Sequence, residues 1–232
     1  MKKLFLTLAM GAFSLMGMAQ NVQLHYDLGR TIYSTEEAER PRVTVTFEQF
    51  KADGLGSWFY FVDMDINNKG VASAYTEISR EFNLGNKGVA AHIEYDGGLS
   101  KSGSFQSAAL IGPAWNGHNA DFSTTYSVQV MYKHFFNGGG HRAYSSAQLT
   151  GVWSTTFANK ALTFSGFVDL WRGEKFNNHG QLVFLTEPQL WYNVNDHISF
   201  GTEWEISNNF IFNMANDKKF FFNPTIAAKF NF

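Results

Sequence analysis

Trp58-Phe59-Tyr60-Phe61-Val62-Asp63-Met64-Asp65-Ile66 carries two faces on one short segment. Trp58, Tyr60, Val62, Met64 and Ile66 fall on one side, and Phe59, Phe61, Asp63 and Asp65 on the other. An extended chain turns successive side chains to opposite faces, so this pattern predicts a strand with one apolar and one mixed face. The same alternation returns at residues 198–207. There Ile198, Phe200, Trp204 and Ile206 oppose Ser199, Gly201, Glu203, Glu205 and Ser207. It returns again at the end, where Phe220, Phe222, Ile226, Phe230 and Phe232 oppose Asn223, Thr225, Lys229 and Asn231.

Working outward from these segments, alternating runs fall near 22–33, 42–51, 56–66, 74–83, 88–96, 104–113, 122–135, 143–155, 160–171, 181–192, 197–207 and 220–232. The run at 104–113 is the weakest, being small-residue-rich and loosely alternating. Each run is about ten residues, the length of a tilted strand that crosses a bilayer. Every second connection is short and rich in Asn, Asp and Gly, as tight antiparallel turns require. These are 52–54, 83–88, 116–119, 158–160 and 193–196. The other set is more varied and includes a charged stretch at 34–41, a glycine-rich one at 136–142, and longer ones at 172–180 and 208–219. With an even strand number, both chain ends and the tight turns share one side, expected to be periplasmic, and the varied loops face outward.

Composition separates a membrane barrel from a secreted sandwich. Aromatic residues make up 17% of the chain, Phe alone occurs 24 times, and mean hydropathy is nevertheless −0.21. A sandwich would bury its apolar face in one core and would not need rings at both ends of its strands. Here Tyr26, Tyr33, Trp58, Tyr75, Tyr95, Trp115, Tyr126, Tyr132, Tyr144, Trp153, Tyr192 and Trp204 recur near strand ends. Such rings suit the lipid–water boundary. In lipid every backbone polar group must be paired, so the sheet has to close. The expected fold is all-β: a transmembrane up-and-down antiparallel β-barrel of about 12 strands in the bacterial outer membrane, in contact with outer-membrane lipid.

Lys2 and Lys3 precede an uncharged apolar run over residues 4–17, and Gly17-Met18-Ala19 offers a cleavage site before Gln20. That order predicts a signal peptide over 1–19 and a single barrel domain over 20–232. The absence of cysteine excludes disulfides and thiolate metal sites. A net charge of −2 without a basic patch gives no footing for nucleic acid. No cofactor is expected.

Val43-Thr-Val-Thr-Phe-Glu-Gln-Phe50 followed by Gly56-Ser-Trp-Phe-Tyr-Phe-Val-Asp63 resembles the second and third strands of the Tsx-type nucleoside-specific channels. Tyr75-Thr-Glu-Ile-Ser-Arg80 looks like that family's next strand, and Ser165-Gly-Phe-Val-Asp169 like a later one. The resemblance is clearest over residues 43–82. It implies a monomeric twelve-stranded barrel with a narrow lumen that passes nucleosides. The family's nucleoside contacts do not map position by position, and this chain is shorter in its loops. The closing Phe-Asn-Phe232 resembles the C-terminal signal read by the barrel-insertion machinery.

The alternation assigns Glu48, Asp63, Asp65, Glu77, Glu81, His92, Glu94, Asp96, Asp169, Glu187, Glu203 and Glu205 to the lumen. Basic partners there are Lys133 and Lys229, with Arg142 near the mouth. A negative field between low-dielectric walls disfavours anions and admits cations or neutral polar solutes. Phe50, Phe59, Phe61, Phe167, Trp171, Trp191 and Phe221 also face inward. Rings flanked by carboxylates suit a nucleoside: the base stacks and the ribose hydroxyls donate to the acids. The substrate-binding candidates are therefore Phe50, Phe59, Phe61, Asp63, Asp65, Glu77, Phe167, Asp169, Glu187, Glu203 and Glu205. The bland alternative is that these rings and Glu–Lys pairs fill the interior, giving a closed structural or surface-interaction barrel.

Enzyme chemistry has little support. His197-Ile198-Ser199 places His and Ser on one strand face, but beside a turn expected on the periplasmic side and directed into the lumen. Asp63-x-Asp65 and Glu203-x-Glu205 each put two carboxylates on one face, too few ligands alone for Ca²⁺. Gly138-Gly-Gly-His141 reads as a loop tip, and no metal site is expected.

Overall fold

A computed structural model describes residues 19–232 apart from 86, 175–179 and 212–214. The expected signal peptide over 1–19 lies outside the described residues save for Ala19, as do the middles of the loops at 172–180 and 208–219. The elements run β1 (Ala19–Asp27), α1 (Gly29–Ile32), β2 (Val43–Asp53), β3 (Gly56–Asn67), β4 (Gly70–Asn83), β5 (Val89–Ser100) and β6 (Gly103–Ser104). They continue with β7 (Ala108–His118), β8 (Thr124–Phe135), β9 (Tyr144–Phe157), β10 (Leu162–Glu174), β11 (Gly180–Thr186), β12 (Gln189–Asn193), β13 (Ile198–Asn208) and β14 (Phe220–Asn231).

Adjacent staves pair antiparallel round the ring, and β14 closes on β1 from Asn21↔Asn231 to Asp27↔Thr225. β11 and β12 share one stave between β10 and β13, and β6 only extends the β5 hairpin. The ring therefore has twelve staves, matching the number read from alternation. No helix among the described residues is long and apolar enough to cross a membrane. The strands do the spanning, and the fold is that of an integral outer-membrane barrel.

The burial pattern is inverted relative to a soluble domain. Asn21, Gln23, His25, Ser199, Ser207, Asn223 and Thr225 are buried, while Leu24, Tyr26, Ile111, Val130, Phe200 and Ile226 are exposed on the outer face. A small apolar cluster of Ala108, Leu110 and Met131, with Phe135 against it, lies on the inner side of β7 and β8. Outside, lipid takes the role of core.

Backbone chemistry sets the corners. At the β2–β3 turn Asp53 Oδ1 accepts from the Leu55 and Gly56 amides at 2.9 and 3.0 Å. Gly56 has φ +154, and a Cβ there would meet the Glu81 carbonyl at 2.0 Å, so no other residue fits. Ala158, Asn159 and Lys160 take positive φ in succession to turn β9 into β10.

Four expectations are corrected. The run 22–33 ends as a strand at Asp27, because its carboxylate accepts from the Gly29 amide at 2.6 Å and the chain turns into α1. The run 104–113 is displaced: after β6 the chain is irregular at 105–107, and the stave is β7 from Ala108 to His118. The run 181–192 is interrupted after Thr186 because Pro188 has no N–H for the ladder. Finally, Tyr33, Tyr75 and Tyr144 do not belong to the lipid girdle: Tyr33 lies beyond β1 and packs edge-on against the inward Phe221. Register puts Tyr75 with Asp63 and Gly98, and Tyr144 with Phe135, on the inner face.

Candidate functional site: the barrel lumen

Register fixes the inner face without ambiguity, since directly paired residues of adjacent strands share a side. Glu48 pairs Asn21 and Phe61, Asp63 pairs Thr46 and Tyr75, and Glu77 pairs Phe61 and Asp96. On the far side Asp169 pairs Thr150 and Leu185, and Glu203 pairs Gln189. Glu205 pairs Asn223. Glu187 sits in the break between β11 and β12, its amide donating to the Phe167 carbonyl at 3.2 Å. The candidate residues thus all line the lumen, but on two walls.

The β2–β4 wall gathers Phe50, Phe59, Phe61, Asp63, Asp65 and Glu77. Phe59 and Phe61 lie 6.1 Å apart between ring centroids, and Phe61 and Tyr75 6.0 Å, at tilts near 50°. Phe50 stands opposite Phe59. Glu48 and Glu77 flank Phe61 from the two neighbouring strands. Tyr75 Oη donates to Glu77 Oε1 at 2.8 Å, and Asn21 Nδ2 to Glu48 Oε1 at 2.9 Å. Thr46 donates to Asp63, while Thr44 and Ser73 donate to Asp65 at 2.8 and 2.7 Å. Each of these carboxylates is held by a side chain on its own or a neighbouring strand.

The opposite wall is more filled. Thr150 donates to Asp169, and Gln189 to Glu203. Trp191 is fully buried, with its indole N–H on Gln189 Oε1 at 2.9 Å and Lys229 Nζ 3.9 Å over its ring. Phe221 is likewise fully buried, edge-on to Tyr33 at 5.1 Å. Trp171 lies beneath Lys133 Nζ at 5.2 Å.

Arg40 is a mouth residue that sequence reasoning missed. The segment between α1 and β2 folds into the mouth, where Arg40 reaches Asp27 at 3.0 Å, Glu37 at 3.3 Å and Glu205 at 2.8 Å. Asn223 Nδ2 donates to Glu37 at 2.9 Å and Glu205 at 3.2 Å, and Glu37 is 4% exposed. Desolvation by burial raises the Glu37 carboxyl above its ordinary range, against the pull of Arg40. Nothing in the alternation marks a loop residue as inward. By contrast Tyr75 shares the parity of Glu77 and Glu81, a signal that was there to read.

His197 and Ser199 point apart. The His197 imidazole stacks on Phe230 and bonds the Asn231 carbonyl at 2.9 Å, whereas Ser199 Oγ donates to Asn193 Oδ1 at 2.9 Å. Gly138 and His141 bridge each other across a loop tip.

A family model described as a domain of unknown function, DUF5020, matches residues 19–232. The chain belongs to this family. No curated protein matches it. Among solved structures, the NanC porin superposes with a TM-score of 0.61 at 13% identity, covering 92% of this chain and 100% of that one. The KdgM porin in complex with disordered oligogalacturonate superposes at 0.50 with 11% identity, covering 92% and 99%. At such identities the likeness is one of fold: a twelve-stave barrel of porin type. The resemblance of residues 43–82 to Tsx-type channels adds a candidate solute and no membership.

Proposed function

We propose that DUF5020 barrels of this kind are monomeric outer-membrane diffusion channels for small polar solutes of neutral or positive charge, nucleosides being the first candidates. The observation that carries this reading is the Phe59–Phe61–Tyr75 ring cluster flanked by Glu48, Asp63 and Glu77 on the lumen wall. Stacking contributes roughly 1–3 kcal/mol per base, enough for a site that releases quickly. The carboxylates accept from ribose hydroxyls. The oligogalacturonate of the KdgM complex is a polyacid, and the acid excess of this lumen argues for the opposite charge preference. The mature barrel begins near Gln20, after signal-peptide removal, and the tight turns face the periplasm.

The test is single-channel conductance of the refolded barrel in a planar bilayer, titrated with adenosine and thymidine. Small discrete openings blocked saturably are expected, and replacing both Phe59 and Phe61 with Ala should abolish the saturation while the barrel still folds. Unchanged saturation in that variant would refute the pocket.

A closed barrel is the second reading, favoured by one observation. Gln23, Ser199, Trp191 and Asn223 of the inner face are all at most 1% exposed, and Arg40 ties the first loop across the mouth. Electrical silence from a folded barrel, relieved when Arg40 is replaced, identifies a plugged channel; silence in both identifies a structural barrel.

A further inference from the structure

Glu94-Tyr95-Asp96 sets two carboxylates on the inner face of β5, and antiparallel register puts Glu77 of β4 directly opposite Asp96. Sequence spacing shows the pair; only the register supplies the third acid. One carboxylate oxygen from each of the three lies within 4.8 Å of the others. That is about the span of two Ca–O bonds of roughly 2.4 Å meeting at one ion. We propose that Glu77, Glu94 and Asp96 bind a single hard divalent cation, Ca²⁺ above all, on the lumen wall between β4 and β5.

Three like charges this close repel strongly in a partly desolvated wall, and the protein compensates them only in part. Lys133 Nζ pairs with Asp96 Oδ2 at 3.0 Å and is shared with Gln148 Oε1 at 2.8 Å. His92 Nε2 contacts Glu94 Oε2 at 3.0 Å, with its other nitrogen 3.2 Å from Glu81 Oε1. Tyr75 Oη occupies Glu77 Oε1. Asp96 is 4% exposed, and its second oxygen, Oδ1, is shielded from solvent and receives no N–H or hydroxyl donor among the described residues. A buried carboxylate oxygen without a donor is costly, and a cation shared with Glu77 and Glu94 removes that cost.

The donor set chooses the ion class. All three offered ligands are carboxylate oxygens, and His92 serves as a support to Glu94 and Glu81, holding them as outer-shell partners hold metal ligands. Carboxylate and water oxygens suit hard ions such as Ca²⁺ or Mg²⁺, and the set lacks the thiolate or imidazole ligands that Zn²⁺ and Cu²⁺ favour. A wall built from two strands suits the looser Ca²⁺ geometry, with water completing the shell.

Tb³⁺ reports such a site, because Tyr75, bonded to Glu77, transfers excitation to a bound lanthanide. The refolded barrel is titrated with Tb³⁺ under tyrosine and tryptophan excitation, then with Ca²⁺ in competition, and Ca²⁺ binding is repeated by calorimetry. One saturable equivalent displaced by Ca²⁺ is expected. Asp96→Asn and Glu94→Gln should each weaken binding about tenfold or more, whereas Asp121→Asn in the distant β7–β8 turn should leave it unchanged. Heat-modifiable gel migration verifies that each variant is folded. Luminescence that does not saturate, or that both variants leave intact, overturns the site. The inference does not rest on the channel reading: binding is measured without transport, so either can fail alone.

Discussion

Arg40 holds three carboxylates, from its own segment, from β1 and from β13, and two of them are more than nine-tenths buried. Removing one partner of such a set leaves uncompensated buried charge, at a cost of about 3 kcal/mol. Arg40→Gln is therefore expected to release the segment at 28–42 from the mouth, lowering stability by that order in urea unfolding and exposing the segment to trypsin at Arg42. Conductance, where present, should rise. A variant that stays protected and equally stable would show that Arg40 is not the tie. Tyr75 makes the complementary case. Its ring completes the cluster with Phe61 and its hydroxyl holds Glu77. Tyr75→Phe should keep nucleoside block close to the parent, while Phe61→Ala should weaken it about tenfold, as read by the blocking constants. The inner acids and rings were legible because strand parity alone assigns them. Arg40 was not, because a loop has no parity and its inward fold depends on contacts made across the mouth.

Elements carry the balance between lipid and water. Val130 stands outward near the middle of β8, 48% exposed, beside the inward Met131 at 1%. A charge at the bilayer midplane costs roughly 2–4 kcal/mol, so Val130→Arg should destabilise the lipid-embedded barrel by that amount, with refolding in vesicles as the readout. In detergent micelles the penalty should shrink. The first loop adds a pH dependence outside the spanning strands. Burial raises Glu37 above its ordinary carboxyl value. The docked state thus holds a proton more tightly than the free one, so docking is favoured below the ordinary value and weakens as pH rises through the raised one. Trypsin sensitivity of the segment should increase over that window, and Glu37→Gln should flatten it. Twelve staves could be counted from sequence because the lipid face imposes a strict period of two. The three misplaced runs are those where another term dominates: the Asp27 carboxylate turning the chain, the small residues before Ala108, and the missing N–H of Pro188.

At the scale of the whole barrel the question is which way the field points. Inside, Glu48, Asp63, Asp65, Glu77, Asp169, Glu187, Glu203 and Glu205 face Lys133 and Lys229, and Arg40 is already engaged with three acids at the mouth. Lysine compensation is local: Lys133 is committed to Asp96 and Gln148, and Lys229 lies on the Trp191 ring. Register sets these acids on the inner face of both walls, so the excess is not confined to one side of the barrel. Narrow low-dielectric walls concentrate such a field and enrich counter-ions about tenfold or more. A barrel that conducts should therefore show a reversal potential of cation-selective sign in a KCl gradient. The preference should fall in molar salt, where the Debye length shrinks to about 3 Å. Neutralising Asp63, Glu187 and Glu203 together as amides should move the reversal potential toward zero and, because glutamine and asparagine keep the hydrogen-bonding surface, leave the barrel folded. An anion-selective reversal potential in the parent protein would mean that the carboxylates are neutralised inside the lumen, and would remove the electrostatic ground for a neutral or cationic solute.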